Sequence, residues 1–188
     1  MTQMLYMRLE GIDGEEPIGD NSQDAIAIID YSHSIGLELA NQRPSAGADA
    51  AFRRSRTHHA PFVVNKSFDR TSSKIFAAAS RGVLFKHVVI YSCSQEISQL
   101  TTSSKPKPFL SIIMKDAVIA DFSYQFAGNW QAEQISFQYA SIGWHVKWKD
   151  PESGDSETLE PVGWNGSQNK NEQIAIPSSV EWSSGLLG

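Results

Sequence analysis

The run QISFQYASIGWHVKW, Gln134 to Trp148, constrains the chain more than any other stretch. Ile135, Phe137 and Tyr139 recur at every second position, and so do Ile142, Trp144, Val146 and Trp148. Side chains of an extended chain alternate between faces, so a period of two describes a strand with one dry face and one wet face. The apolar positions change from odd to even near Ala140–Ser141, which predicts a β-bulge there and a sheet that curls.

The same period returns along most of the chain. Met4–Glu10, Phe62–Phe68, Val83–Cys93, Phe109–Met114 and Val118–Phe126 all read as strands, and Lys115–Asp116 reads as a tight turn between the last two. In Val118–Phe126 the apolar set is Val118, Ala120, Phe122, Tyr124 and Phe126. Ala25–Leu39 reads as one long strand, with Ile29, Tyr31, His33, Ile35, Leu37 and Leu39 on its dry face. Asp30, Ser32, Ser34 and Glu38, with Gly36, occupy its wet face. Between strands, GIDGEEPIGDNSQD and SQLTTSSKPKP are dense in turn-forming residues.

One segment breaks the pattern. KSFDRTSSKIFAAASRG, Lys66 to Gly82, has helical spacing, with Ile75, Phe76, Ala78 and Ala79 on one stripe and Ser73, Lys74, Ser80 and Arg81 opposite. Asp69, Thr71 and Ser72 are candidate N-caps, and Gly82 stands where a left-handed residue ends a helix. The alanines keep the stripe shallow, which suits close packing. About seven strands and one short helix favour a closed barrel or a sandwich, with the helix covering a gap.

Two segments resist this reading. Ala40–Pro61 is polar, small and basic without a clear period, and is longer than most internal connections. Its Arg53, Arg54 and Arg56 form a basic cluster followed by His58 and His59. Beyond Asp150 the chain is rich in Gly, Ser, Glu and Asn, which divides it into a β-rich domain over 1–150 and a polar C-terminal extension over 151–188, with Trp164 and Trp182 as candidate anchors.

Composition narrows the function. Sixteen Lys and Arg against 21 Asp and Glu leave a net charge of −5 over 188 residues, which gives no support to nucleic-acid binding. The single cysteine, Cys93, allows no internal disulfide and lies in an apolar strand, the usual place of a small core residue. The opening MTQMLYMRLEG has no basic segment followed by a long apolar one, so no signal peptide is expected. No apolar run approaches the roughly 20 residues a membrane helix needs, so membrane insertion is not expected.

Motifs for chemistry are missing. There is no G-x-S-x-G elbow, P-loop, dinucleotide glycine fingerprint or H-E-x-x-H. DNSQD at Asp20 resembles the start of a calcium loop, but Ala25 stands at the glycine position and Tyr31 at the glutamate position. His58 and His59, adjacent in an extended chain, point opposite ways and make a poor chelate. His33, His87 and His145 lie within strand patterns, where a hydrogen-bonded structural role is the simplest reading. No catalytic residue, cofactor or metal is expected. The residues describe a β-rich binding or assembly protein.

The order of the segments resembles a known family. MLYMRLEGIDGE, IIDYSHSIGLEL, the loop ending in RTHHAPFVVNKSFDRTSSKIFAAASRG, then PFLSIIMKDAVIADFSYQF and EQISFQYASIGWHVKW follow one another as in the Hcp proteins, the hemolysin-coregulated proteins of bacterial type VI secretion. The likeness runs from about Met4 to Lys149. Ser73 departs from it, since many relatives carry proline in that first helical turn. The resemblance implies an Hcp-like β-barrel of antiparallel strands with one flanking helix, assembled as a homo-hexamer. Such rings stack into the inner tube of a contractile machine, alongside sheath and spike, and the lumen carries small effectors. It implies assembly in the cytoplasm and secretion without a cleaved signal. A serine after an aromatic marks one lumen strand of the family, and Ser32 after Tyr31 matches it. Asp30, Ser32 and Ser34 are therefore candidate lumen residues, and the loop bearing Arg53, Arg54, Arg56, His58 and His59 is a candidate contact between subunits. The rival readings are a phage-type tail tube subunit, a monomeric barrel with an apolar ligand pocket, and a secreted hydrolase built around His58, His59 and a carboxylate.

Overall fold

Strand pairing in the computed structural model, which describes residues 3–18, 23–38, 56–94, 106–127, 130–149 and 155–176, closes on itself. The elements in chain order are β1 (Gln3–Leu9), β2 (Glu16–Ile18), β3 (Gln23–Ile28), β4 (Asp30–Ser32), β5 (Ile35–Glu38), β6 (Arg56–His59), β7 (Phe62–Ser67), α1 (Ser72–Arg81), β8 (Leu84–Ser94), β9 (Lys107–Ala127), β10 (Trp130–Lys149), β11 (Ser156–Thr158), β12 (Val162–Asn165) and β13 (Lys170–Asn171). β1 pairs with β8, β8 with β9, β9 with β10, β10 with β7 and β7 with β4, all antiparallel. β4 runs on from β3, and β3 pairs back onto β1. The result is a β-barrel, in which closure removes the free edges a sheet of this size would otherwise expose. Met7, Phe62, Phe85, Met114, Ile135 and Phe137 fill its interior, each under 2 % exposed. A filled core leaves the apolar ligand pocket of a binding barrel nowhere to sit.

The long strands differ from the sequence reading in instructive ways. β9 runs unbroken through Lys115–Asp116, so the expected tight turn is a kink within one strand. Asp116 has φ 50°, in the left-handed region that Asp tolerates better than most residues. The kink is shared by the neighbouring strands. Core-facing positions change parity between Phe85 and Val88 in β8, between Met114 and Ala117 in β9, and between Tyr139 and Ile142 in β10. The pairs on either side stay in register, Phe85 with Ala117 and Tyr139, then His87 with Lys115 and Ser141. Lys86, Asp116 and Ala140 thus form one row along which the sheet bends. Side groups satisfy the disturbed backbone: the Lys86 N–H donates to a Glu10 carboxylate oxygen at 2.9 Å, and the Gly166 N–H donates to the Ala140 carbonyl at 2.9 Å.

The register shift between β9 and β10 lies elsewhere, between Ser136 and Phe137. Ser136 opposes Asp121 and Phe137 opposes Ile119, so Ala120 is the extra residue. This splits the face expected for Val118–Phe126. Ala117 and Ile119 face the core before the bulge, Phe122 packs against it after, and Ala120 is exposed.

Ala25–Leu39 is likewise three strands. Ile26 and Ile28 enter the core, the chain bends at Ile29, and Tyr31 then takes the core side. Ile29 and Ile35, expected on a dry face, are 45 % and 51 % exposed. Leu39 lies outside the described residues. β5 leaves the barrel and pairs with β6, so the last part of the expected Ala40–Pro61 loop is a strand of a two-stranded stalk.

α1 packs against β9 and buries Ser72, Ile75 and Ala78, while Phe76 stays 55 % exposed. Its stripe is narrower than the sequence suggests. Thr71 occupies the N-cap without a side-chain cap bond. Asp69 organises the entry instead, accepting from the Thr71 N–H at 2.7 Å and its hydroxyl at 2.6 Å, while Ser72 Oγ accepts from the Asp69 N–H at 3.0 Å. Gly82 ends the helix at φ 63°, ψ 42°.

The C-terminal segment hydrogen-bonds to the barrel. β11 and β12 both pair with β10, and β13 pairs with β12. A Cβ at Gly163 would fall 2.2 Å from the Glu172 carbonyl oxygen, so only glycine fits there. Ile174 joins Tyr6, Val89, Cys93 and Ile113 in a second apolar cluster on the outer face of the wall. Trp164 sits half-buried in β12, and Trp182 lies outside the described residues.

Candidate functional site

A continuous polar surface covers the outside of four strands. Asp30 opposes Asn65, Asn65 opposes Gln134, and Gln134 opposes Ser123, which lines up β4, β7, β10 and β9 across the wall. Side chains cross-link the row: Asn65 Nδ2 donates to the Asp30 carboxylate, and Gln134 Nε2 donates to Asn65 Oδ1 at 3.2 Å. The adjoining row is Ser32, Val63, Ser136 and Asp121. Asp30, Ser32 and Ser34 are all exposed, as are Asp121, Ser123 and Gln125. An open groove of about 450 Å³ runs along it, lined by Ile29, Asp30, Asn65, Tyr124 and Gln134 among others. Hydroxyl, amide and carboxylate groups this dense can exchange water for another polar surface without stranding a donor, but offer no nucleophile with a base beside it.

Beneath this surface the strands are held by a buried charge cluster absent from the sequence reading. Lys66 is fully buried; its Nζ lies 2.9 Å from a Glu133 carboxylate oxygen and 3.1 Å from Asp69, and donates to Ser72 Oγ at 3.2 Å and the Ser67 carbonyl at 2.7 Å. Four acceptors satisfy an ammonium that would otherwise be very costly to bury. One lysine so joins β7, β10 and the entrance of α1. The signal was present in sequence: Lys66 and Glu133 both sit at the ends of apolar alternations, in phase with the dry face.

Beside α1, Phe68, Phe76, Tyr124 and Phe126 are each more than half exposed and surround a groove of about 380 Å³. Phe76 meets Phe122 edge-on with centroids 6.0 Å apart, and Phe68 lies 6.1 Å from Phe126.

The basic loop is only partly described. Arg53 and Arg54 lie outside the described residues. Arg56 opens β6 opposite Glu38, His58 opposes Gly36 and is exposed, and His59 opposes Ile35. The two adjacent histidines face opposite sides of the stalk, as alternation requires. His59 turns inward to Tyr139, whose hydroxyl also meets His33. Among the described residues no cluster of His, Cys, Asp or Glu is placed to hold a metal. Burial pushes the Cys93 thiol up to about 12, which keeps it protonated and unreactive. Of the two histidines a hydrolase would use, His58 is exposed on one side of the stalk and His59 is hydrogen-bonded to Tyr139 on the other.

A family model described as the type VI secretion system effector Hcp matches residues 6–146. The chain belongs to the Hcp family. Solved Hcp structures share its fold. A type six secretion system protein superposes with a TM-score of 0.72 at 19% identity, covering 91% of this chain and 100% of the other. Hcp1 from Salmonella typhimurium gives 0.62 at 16% identity over 92% and 100%. A type VI secretion system effector from Yersinia pestis gives 0.56 at 14% identity over 86% and 98%. None of the curated proteins matches the chain. The Hcp family accounts for the antiparallel barrel with one short helix, and makes this a tube protein of type VI secretion, a structural role. No helix among the described residues is long and apolar enough to cross a membrane.

Proposed function

We propose that this chain assembles as a hexameric ring, that rings stack into the expelled inner tube, and that Asp30, Ser32 and Ser34 belong to the surface lining the lumen. The observation that carries this reading is the polar row from Asp30 to Ser123, an outer barrel face four strands wide that no other described residue covers. Ringed around an axis, such faces make a hydrophilic channel in which a small folded effector exchanges water contacts for amide and hydroxyl contacts. The stalk of β5 and β6 starts beside this face, at Ser34, and reaches away from the barrel. The sequence joining β5 to β6 is basic, with Arg53 and Arg54 ahead of Arg56, and suits a carboxylate-bearing surface on a neighbouring copy of an acidic protein, a contact that salt weakens. Sheath and spike proteins are the remaining partners in this scheme, and the assembled tube leaves the cytoplasm through the machine itself.

Size-exclusion chromatography with light scattering on the purified chain tests the reading. Assembly gives a particle several times the 20.8 kDa protomer, with sixfold rings in negative stain. A species that stays at the protomer mass at high concentration contradicts it.

A further inference from the structure

The stalk is fastened to the barrel by a hydrogen-bond arrangement that tolerates only a limited number of protons. His33 lies between β4 and β5, where the chain leaves the wall, and His59 ends β6, where it returns. Both rings reach the same hydroxyl on β10: Tyr139 Oη is 2.6 Å from His33 Nε2 and 2.9 Å from His59 Nδ1. The two imidazoles are 5.8 Å apart, centre to centre. Aromatic rings surround them. His33 stacks on Phe62 at 5.5 Å and lies 6.3 Å from Trp144, while Tyr31 stacks on the same Phe62 at 5.4 Å. The Tyr31 hydroxyl is turned away, to Ser92. His58, whose charge also acts on His59, is exposed on the opposite side of the stalk.

A phenol has one proton to donate and oxygen lone pairs to accept with. With both imidazoles neutral, the Tyr139 O–H donates to the bare nitrogen of one ring and accepts the N–H of the other. A first proton from solvent can enter the far nitrogen of the ring that already donates, and the bridge survives. A second must enter the nitrogen that accepts from Tyr139. Two N–H groups then point at one hydroxyl, its own proton loses its acceptor among aromatic rings, and two cations stand within 6 Å of one another.

We propose that His33, Tyr139 and His59 form an acid-sensitive clasp, in which protonation of the second imidazole breaks the Tyr139 bridge and frees the β5–β6 stalk from β10. Burial lowers the proton affinity of both rings, and each ring is further lowered by a histidine neighbour, His59 for His33 and His58 for His59. A group whose folded pKa is depressed holds the folded arrangement above its ordinary value and loses that contribution as pH falls through the lowered one. Docking is therefore complete above the ordinary histidine value of about 6.5 and is lost below it. The clasp acts within one chain, so it can be tested whether or not rings form.

Hydrogen exchange of the purified full chain reads it directly. Amides of Ile35–Glu38 and Arg56–His59, corrected for the intrinsic effect of pH, are expected to lose at least about tenfold in protection between about pH 7.5 and about pH 5, while β8 and β9 keep theirs. Tyr139→Phe keeps the ring and removes the bridge; its stalk should exchange faster at both pH values and respond little to acid. His33→Phe keeps the stack on Phe62 and leaves one imidazole, and should also flatten the response. Unchanged stalk protection across this range in the wild type would overturn the proposal, and so would Tyr139→Phe retaining the full acid response.

Discussion

β10 treats its two halves differently. Over Ala132–Phe137 it pairs with β7, turns Ile135 and Phe137 into the core, and leaves Gln134 exposed outward. Over Ser141–Trp144 it pairs with β12, and its outer face is covered: Ser141 donates to Glu172 at 2.7 Å, and Ile174 lies against Gly143. The same strand in the same barrel is left wet at one end and clothed at the other. The covered half already has its outer partner within the chain. The bare half carries only groups that are comfortable in water or against a polar surface. In the proposed ring it is the bare half that lines the lumen.

The anchors beneath the two halves differ in the same sense. Lys66 and Glu133 are 0% and 2% exposed; Lys115 and Glu172 are 35% and 23% exposed. Glu133→Ala removes one of two carboxylates from the Lys66 ammonium and leaves Asp69 as its remaining counter-charge, so it should cost about 1.5–3 kcal/mol and lower the melting temperature by several degrees. Replacing both partners with apolar residues of similar size, Lys66→Met with Glu133→Leu, should recover most of that loss, because the desolvation cost goes with the charges. Thermal melts of the three proteins check the ordering. A mild Glu133→Ala would show that the cluster is wetter than its geometry indicates.

Smaller effects belong to the covered half. Gly163→Ala places a methyl group against the Glu172 carbonyl and should detach β12 and β13 while the barrel stays folded; rapid proteolysis confined to the C-terminal segment would show it. Glu172 accepts from Ser141 at 2.7 Å, Lys115 at 3.0 Å and Asn165 at 2.8 Å, and these bonds, Ser141 foremost, hold its carboxyl down to about 2. The depressed value means that its contribution is complete above about 4.5, the ordinary value, and fades as pH falls toward about 2. Glu172→Gln should cost about 1–2 kcal/mol at neutral pH and nothing near pH 2. The smallest expected effect on folding, within about 0.5 kcal/mol, is that of Ser32→Arg, since the residue is exposed on the bare face. Its effect should fall on cargo: effector retained with purified rings should drop while ring formation persists.

The sequence made the barrel legible because its physical cause is local. Alternation at Ile135, Phe137, Ile142 and Trp144 reports a two-faced strand whatever its neighbours are, and Gly82 announced the helix end through its own backbone. The failures share a different cause. Lys115–Asp116 has turn chemistry, yet flanking strands keep pairing across it, and the kink appears only when β8, β9 and β10 are aligned. Ile29 and Ile35 fit the alternation of one long strand, but the break after Ile28 is decided by closure of β3 onto β1 and β4 onto β7. Buried Lys66 and Glu133 hid because charge ordinarily marks a wet position, and their cross-strand pairing, with Asp69 and Ser72 at the entrance of α1, offsets the cost of their burial. Asp30, Ser32 and Ser34 stood out as a wet face from alternation, whereas the breadth of the polar surface, carried by Asn65, Gln134 and Ser123, required the register of four strands.

The most direct measurement places a marker on the bare face. Cys93 is buried and protonated, so Ser32→Cys provides one accessible thiol among the described residues for a gold-cluster label. In averaged images of the labelled, assembled protein the account predicts gold density near the ring axis, inside the channel. Gold on the outer rim, or a labelled chain that remains a single protomer at high concentration, contradicts it.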